Sequence, residues 1–231
     1  MLALVSRKTR LFVASALVVL GLTSVASAYY WIYPPNTPPA GRPYRTLAAD
    51  WWKFVLKQPV SSNPLLDTDG SKCRNGQSGG FFFLVGALDD TPVKRTKCTI
   101  PIGKTVVFPI VNALYAAFPG DPANERTEAF VKSQVSYVKD ATTNLVLEID
   151  GNVVSNPKQY FVQGDAFNFT LPANNIYGLP AGQKFAPAAD AGFYIALSQW
   201  EPGNHKVRFK GTLDGTTIDV TYELKVNYTP F

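Results

Sequence analysis

The chain contains a single histidine, His205, so any catalytic scheme that moves protons through an imidazole ring must use this residue. A Ser-His-Asp hydrolase would pair it with a serine exposed on a sharp strand-to-helix turn. No serine in such a predicted setting accompanies it. His205 instead follows a turn at 201–204 and begins a predicted strand. We therefore interpret it as a residue that hydrogen-bonds the turn.

Two aspartates of one loop, Asp67 and Asp69, place oxygen ligands at alternate positions, as some Ca²⁺ sites do. Basic residues, Lys72 and Arg74, follow them, and no glutamate closes the loop at the spacing of an EF-hand. Turn aspartates commonly accept hydrogen bonds from their own backbone. We favour a solvated turn, with Ca²⁺ binding as the alternative, and expect no other metal and no cofactor.

Carboxylates can also act without histidine, as in glycosidases, where one acid protonates the leaving group and a second acts as nucleophile or base. The sequence does not say which two acids approach each other, and exposed acids are the ordinary case. The acidic residues near apolar segments are Asp50, Asp67, Asp69, Asp165, Asp190 and Glu201.

Aromatic side chains in or beside predicted loops are a more specific signal, because exposed rings stack on sugars and anchor protein partners. Core packing is the alternative for at least half of them. Our sharpest site hypothesis is a binding surface built from Trp52 and Trp200, with Tyr194 as a further candidate. The aromatic residues in this group are Trp31, Trp52, Tyr177, Tyr194 and Trp200.

The first 28 residues have the features of a bacterial-type secretory signal: a basic start, an uncharged stretch at 11–28 and small residues at its end. We predict cleavage between Ala28 and Tyr29. The apolar run continues to Tyr33, and a span of about 20 residues can cross a bilayer, so an uncleaved anchor is the alternative. Either prediction places the domain outside the cytoplasm, as a secreted, periplasmic or cell-surface protein.

The net charge of +5 is largely a property of this leader. Without its three basic residues, 19 Lys and Arg face 17 Asp and Glu, a net charge of +2. This charge is too small to predict a nucleic-acid partner or an anionic membrane surface. Membrane association would require that the leader is retained.

Cys73 and Cys98 are the two cysteines of the chain. An exported protein with an even number of cysteines usually pairs them. A metal site built from both cysteines and His205 would lack a fourth ligand of the usual kind. The sequence therefore predicts a disulfide that closes a loop of about 25 residues.

Five prolines at 34–43 predict that 29–45 is an extended arm, which could dock on a neighbouring copy and support an oligomer. A helix is predicted at 46–58, beginning at Thr46 and stopped by Pro59, because apolar residues recur at helical spacing. Trp51 and Trp52 must point in different directions on it. A second helix is predicted at 121–141, capped by Asp121.

Short apolar or alternating runs bounded by Gly, Pro, Asn and Asp predict strands at 81–88, 104–111, 144–150, 160–162, 167–171, 192–198, 205–213 and 217–226, with a polar connection between the first two. The clearest hairpin joins 205–213 to 217–226 across an Asp-Gly turn. The predicted strands are too close together for βαβ crossovers. We therefore predict one domain at 46–231: an antiparallel β-sandwich with two accessory α-helices.

Several phrases of the chain, taken together, resemble a family of exported bacterial β-rich proteins to which no activity is attached. They are 49–53 (ADWWK), 62–67 (SNPLLD), 75–79 (NGQSG), 98–104 (CTIPIGK), 108–112 (FPIVN), 167–172 (FNFTLP) and 202–205 (PGNH). The resemblance implies a secreted β-rich protein. It transfers no catalytic or binding residue.

Three classes of function follow from these observations. The first is a non-catalytic exported domain that binds a carbohydrate, an envelope component or a protein partner, because no nucleophile motif, metal cluster or phosphate loop was recognised. The second is an extracellular hydrolase that acts through carboxylates. The third is a structural subunit of a surface assembly, in which the aromatic arm pairs with a neighbour.

Overall fold

The computed structural model describes residues 30–198 and 200–228. The predicted leader, its predicted cleavage site and most of the alternative anchor lie outside the described residues. Within the described ranges, no helix is both long enough and apolar enough to cross a membrane.

Two β-sheets dominate the described chain. The first sheet contains β1, β2, β4, β7, β8 and β9, and the second contains β3, β5, β6, β10 and β11. The strands are β1 Trp31–Ile32, β2 Phe81–Phe83, β3 Val93–Pro101, β4 Thr105–Ala116, β5 Thr143–Ile149, β6 Asn152–Val153, β7 Phe161–Gln163, β8 Phe167–Thr170, β9 Lys184–Ser198, β10 Gly203–Leu213 and β11 Thr216–Asn227.

The two sheets pack face to face over the main apolar core, so the mainly β, sandwich-like architecture is confirmed. Phe108 of β4 stacks on Phe209 of β10 across the interface, with ring centroids 5.0 Å apart. The hairpin of β10 and β11 is also confirmed, with Thr212 opposite Thr217 beside the turn.

The sheets are mixed, whereas the sequence predicts purely antiparallel pairing. β2 runs parallel to β4, and β3 runs parallel to β11. The prediction assumes that strands adjacent in sequence pair with each other. In the sequence β3 comes between β2 and β4, but it lies in the second sheet. The chain therefore leaves the first sheet after β2 and returns to it as β4, running in the same direction.

The first helix, α1 (Tyr44–Leu56), covers the face of the first sheet that points away from the second. Its apolar side packs on β4 and β9 through residues such as Leu47, Trp51 and Val55. The helix begins two residues before the predicted start, and Thr46 does not cap it, because the Thr46 hydroxyl donates to Asp165 Oδ2 instead, at 2.7 Å.

The second predicted helix is two short ones, α2 (Glu128–Gln134) and α3 (Val138–Ala141). Thr127, not Asp121, caps α2 by accepting from Phe130 N. The segment from 121 to 127 forms turns. Asp121 Oδ2 accepts from Phe118 N at 2.7 Å, so its side chain closes a turn rather than a helix.

The N-terminal arm pairs with its own chain. Trp31 and Ile32 form β1 against Ser198 and Leu197 of β9, at the edge of the first sheet. Tyr33 N also donates to Ala196 O at 3.0 Å. The described part of the arm therefore extends the sheet of the same molecule, and the assembly through a neighbour stays a prediction without support from this contact.

Cys73 and Cys98 form the predicted disulfide, with 5.6 Å between their Cα atoms. Cys98 lies on β3, and Cys73 lies in the loop that precedes β2. Both are buried, so the bond ties this loop to the second sheet.

Replacing both cysteines by serine is expected to lower the free energy of unfolding by about 3 kcal/mol, because the bond limits the unfolded chain over 25 residues. Urea unfolding of the variant and of the oxidised protein measures the difference. A thiol reductant should reproduce the loss in the parent and leave the serine variant unchanged. An unchanged unfolding midpoint in the variant would contradict the prediction.

Candidate functional site

Alternate residues of β9 point to opposite faces of the first sheet. Phe193, Ile195 and Leu197 face the core between the sheets. Tyr194 and Ala196 face α1, and Asp190 lies on this same side because it is an even number of residues away. Asp190 and Tyr194 therefore place two polar side chains on the sheet face that α1 covers.

A β-bulge in β4 brings an amide to this pair. Pro109 is opposite Tyr194 and Asn112 is opposite Gly192, so β4 has one more residue than β9 in the interval. A side chain at Gly192 would collide with Asn112, since an added Cβ would lie 2.5 Å from Asn112 Cβ. The glycine therefore makes room for Asn112 on the helix side of the sheet.

The three side chains form one hydrogen-bonded chain. Asn112 Nδ2 donates to the Tyr194 hydroxyl at 2.9 Å, and that hydroxyl donates to Asp190 Oδ2 at 2.6 Å. Asp190 and Tyr194 are completely buried, whereas Asn112 is only partly buried. The chain therefore connects a buried carboxyl to a residue that solvent can reach.

Burial raises the pKa of Asp190 to about 7, although its hydrogen bond from Tyr194 opposes the change. Asp165 adds to the increase through its negative charge. Burial, together with the Asp190 charge, also raises the pKa of Tyr194 well above its usual value. Near neutral pH the Asp190 carboxyl is therefore divided between its neutral and ionised forms, while Tyr194 stays protonated.

Trp52 lies beside the hydrogen-bonded side chains of Asn112, Tyr194 and Asp190. Its indole is close enough to lower the pKa of Asp190, but Trp52 Nε1 and Asp190 Oδ1 both lack a hydrogen-bond partner within the described part of the protein. Both atoms are buried, and the effect of Trp52 on the pKa of Asp190 shows that they lie near each other, so the indole N–H points toward the carboxyl and not toward solvent.

Trp52 and Asn112 also line a cleft of about 220 Å³ at the edge of the first sheet. The cleft opens where β2 ends and β4 continues without it. Its other side is formed by the end of the β10–β11 hairpin. The lining residues are Trp51, Trp52, Leu65, Gly86, Ala87, Leu88, Pro109, Ile110, Val111, Asn112, Leu213, Thr216 and Ile218, none of which carries a charge.

The structure separates the aromatic residues that the sequence groups together. Trp52 is half-buried in the cleft, beside the C-terminal end of β10. Trp200 lies just before the N-terminal end of β10, is 5 % exposed and stacks on His205. Tyr194 is fully buried. Trp52 and Trp200 therefore do not form one surface, and neither Trp200 nor Tyr194 offers a free ring face to a ligand.

Both ring nitrogens of His205 are engaged. Nδ1 lies 2.8 Å from Asp150 Oδ2, and Nε2 lies 2.9 Å from Glu201 O in the preceding turn. Asp150 also accepts from Lys206 N at 2.7 Å. No nitrogen of this ring is left to activate a hydroxyl nucleophile, so the arrangement holds the hairpin end to the β5–β6 turn.

Residues 76–80 match the Gly-x-Ser-x-Gly pattern of hydrolase nucleophiles, a match that the sequence interpretation overlooked. Ser78 is exposed in a loop that leads into β2, not on a strand-to-helix turn. It lines a shallow surface depression with residues of α1 such as Lys53 and Phe54. Because both nitrogens of His205 bond Asp150 and Glu201, His205 cannot serve as the catalytic partner of Ser78.

Asp67 and Asp69 both bond within their own loop. Asp67 accepts from the backbone N–H groups of Asp69 and Lys72, and Asp69 accepts from Ser71 N. Asp69 also pairs with Lys97 at 2.7 Å, which holds the pKa of its carboxyl well below the usual range. Within the described ranges, no cluster of three or more His, Cys, Asp or Glu side chains could hold a metal ion.

Of the other candidate acids, Asp165 comes near Asp190, close enough for its charge to act on the Asp190 carboxyl. Asp165 forms an ion pair with Arg45 at 3.0 Å, and Asp50 pairs with Arg42. Asp190 is completely buried and does not line the cleft, so the two acids do not converge on a space that a substrate could enter.

A buried arginine is the main polar feature that the sequence interpretation missed. Arg95 of β3 is 1 % exposed. Its guanidinium donates to three backbone carbonyl groups, those of Asp67, Val85 and Gly86, and to the Tyr222 hydroxyl, at 2.7 to 2.8 Å. The bonds to Val85 and Gly86 hold the start of the segment at 86–88, which forms one wall of the cleft.

Comparisons of this chain with family models, with curated proteins and with solved structures found no significant match. The resemblance to exported bacterial proteins thus remains a prediction from the quoted phrases, and any function must be argued from the site itself.

Proposed function

We propose that this protein is an exported, non-catalytic binding domain whose cleft at Trp52 and Asn112 takes a ring of a neutral carbohydrate. The observation that carries the proposal is the meeting, in one uncharged cleft, of a half-buried indole and an amide backed by a buried polar chain. An apolar pocket with a few converging polar groups and a perturbed carboxyl beside it is the usual form of a small-ligand site.

The absence of charge among the described lining residues favours a neutral ligand, because an ion placed there would lose hydration without gaining a partner. A sugar ring suits this lining, since its C–H face packs on an aromatic ring and its hydroxyls bond amides. Asn112 and Thr216 contribute the polar side chains of the lining that a sugar hydroxyl could contact.

Strand addition by a peptide is a poorer fit to the same edge. Leu84 N donates to Val107 O, so β4 turns the backbone groups of alternate residues toward β2 at this edge. Pro109, two residues later, has no N–H to offer, and the bulge follows at once. Proline and bulges are features that discourage pairing with another strand.

A hydrolase acting through Asp190 and Asp165 is the second candidate. It is favoured by one observation, the raised pKa of Asp190 beside a second acid that is held by Arg45. The burial of Asp190 weighs against it. Hydrolysis of a bound sugar that disappears in Asp165→Asn and Asp190→Asn variants would establish this function instead.

Replacing Trp52 by alanine is expected to weaken binding of a neutral monosaccharide at least about tenfold, because the stacking face is lost. Calorimetric titration of the mature protein with glucose, galactose, mannose and N-acetylglucosamine measures the effect. Trp31→Ala is the matched control, since Trp31 is an exposed indole at a different edge of the same sheet.

Trp52 also packs edge-on against Trp51, with ring centroids 5.0 Å apart, so the fold of the variants must be checked. Circular dichroism and thermal unfolding should show that both variants are folded. Asn112→Ala provides a second variant at the cleft that leaves the indole in place. If none of the sugars binds the parent protein, or if both cleft variants bind as the parent does, the proposed function is wrong.

A further inference from the structure

We infer that the carbohydrate is a chain rather than a single ring, and that a groove of aromatic side chains around Tyr177 is its second subsite. This inference rests on the proposed function of the cleft. It assigns a role to Tyr177, which the sequence groups with Trp52 among the loop aromatics but does not place in a site.

The groove is a depression of about 270 Å³ formed almost entirely by aromatic and aliphatic side chains. Its base is a stacked pair, Phe169 of β8 on Phe185 of β9, with centroids 4.7 Å apart and ring planes at 12°. Phe118 meets Phe185 edge-on at 4.7 Å. The lining residues are Leu114, Ala116, Phe118, Phe169, Tyr177, Leu179 and Phe185, again without a charge.

Two rings of this groove are open to solvent. Tyr177 is 48 % exposed and Phe118 is 46 % exposed, and both line the same depression. Single exposed apolar residues are ordinary, but several gathered around one concave surface mark an interaction site. Aromatic faces exposed in this way can pack on the uncharged C–H face of a sugar ring.

The groove lies beside the cleft on the same face of the first sheet. Asn112 lines the cleft, and Leu114 and Ala116, two and four residues further along β4, line the groove. At roughly 3.3 Å per residue, these positions are about 7 to 13 Å apart along the strand. A linear oligosaccharide of a few units spans such a distance, whereas a single sugar does not.

Residues of the cleft and of the groove pack on the same buried cluster. Trp52, Leu114, Ala116 and Phe169 pack against the residues of this cluster, which lies between α1, β8 and β9 and consists of Ala49, Leu56, Phe167 and Ala188. The indole of the cleft and the stacked pair of the groove therefore stand on the same rigid base. Rigid placement of both subsites lets one chain use them together with little additional loss of entropy.

The experiment compares a monosaccharide with the corresponding linear tetrasaccharide, both titrated into the mature protein by calorimetry. We expect the tetrasaccharide to bind at least about tenfold more tightly, through the added stacking on the groove. In Tyr177→Ala this gain should disappear, while the monosaccharide should bind as in the parent. Trp31→Ala is the control, since Trp31 has the same exposure as Tyr177, 48 %, and lies at the other end of β9 from Phe185.

Each outcome separates the inference from the function on which it rests. Equal affinities for the two sugars, with no effect of Tyr177→Ala, would overturn the second subsite while a Trp52-dependent monosaccharide site remained. Tetrasaccharide binding that depends on Tyr177 but not on Trp52 would overturn the proposed cleft, and with it the two-subsite arrangement. Phe118→Ala tests the same groove through a second side chain, should Tyr177→Ala disturb its loop.

Discussion

Replacing Asp190 by asparagine is expected to remove a large pH dependence from the stability of this protein. The pKa of the Asp190 carboxyl is about 7 in the folded protein, compared with 3.8 for an ordinary aspartate exposed to water. Burial is the main cause of the increase, and the charge of Asp165 adds to it. Folding therefore binds a proton between these two values.

The direction follows from which state ionises first. Below about pH 4 the carboxyl is neutral in both states, and its contribution to stability is fully present. As the pH rises from about 4 to 7, the unfolded chain ionises and the folded protein does not, so stability is lost until the folded carboxyl also ionises above 7. The difference of about three units between the two pKa values corresponds to a loss of on the order of 4 kcal/mol in the free energy of unfolding.

Asparagine resembles the neutral carboxyl in shape and keeps an oxygen that accepts from the Tyr194 hydroxyl. We expect Asp190→Asn to match the parent near pH 4 and to be more stable at pH 8, by on the order of 4 kcal/mol. Urea unfolding of both proteins at pH 4, 5.5, 7 and 8.5 gives the difference, from which the other titrating groups cancel. A difference that does not change with pH would show that Asp190 does not titrate in this range.

Replacing Arg95 by methionine is expected to lower the free energy of unfolding by about 2 to 5 kcal/mol, because each buried acceptor left without its donor costs about 1 to 3 kcal/mol. Its guanidinium, 1 % exposed, is surrounded by acceptors: carbonyl groups of Asp67, Val85 and Gly86, and the Tyr222 hydroxyl. Methionine fills part of the volume but removes the buried donor of Asp67 O and Gly86 O, whereas Val85 O keeps its bond from the Tyr222 hydroxyl at 3.0 Å.

Arg208→Met is the matched control, because Arg208 is also an arginine of the second sheet and bonds Asp219 at 2.8 Å, but its side chain is 40 % exposed. That substitution should cost no more than about 1 kcal/mol. Arg95→Lys keeps the charge and loses the fork of donors, so it should remain well below the parent in stability. Equal losses for Arg95→Met and Arg208→Met would contradict the prediction.

The same arginine explains why β3 is absent from the sequence prediction. Its inward residues include Arg95. In a strand that alternates apolar and polar residues, a charged residue is expected on the solvent-exposed face. A bulge then shifts the alternation, since Arg95 is opposite Tyr222 and Cys98 is opposite Leu224. A buried charge and an extra residue together conceal a strand whose partner is more than a hundred residues away in sequence.

β9 illustrates the same limit. Its predicted part, at 192–198, is rich in Phe, Tyr, Ile and Leu, whereas the observed strand begins eight residues earlier, at Lys184. The earlier half contains alanines, a proline and Asp190, which are poor strand formers. Pairing with β4, β7 and β8 and the cover of α1 determine its structure.

What the sequence determined by itself are the features that depend on local chemistry: the disulfide between Cys73 and Cys98, the mainly β fold, the final hairpin and a helix around Trp51. Periodicity, turn residues and cysteine number carry these signals over short distances. The candidate site could not be predicted in the same way, since Asn112, Tyr194 and Asp190 meet through strand register and a bulge. Only the tertiary structure decided that Trp52 borders a cleft while Trp200 and Tyr194 are buried, because exposure depends on which distant segments cover a residue.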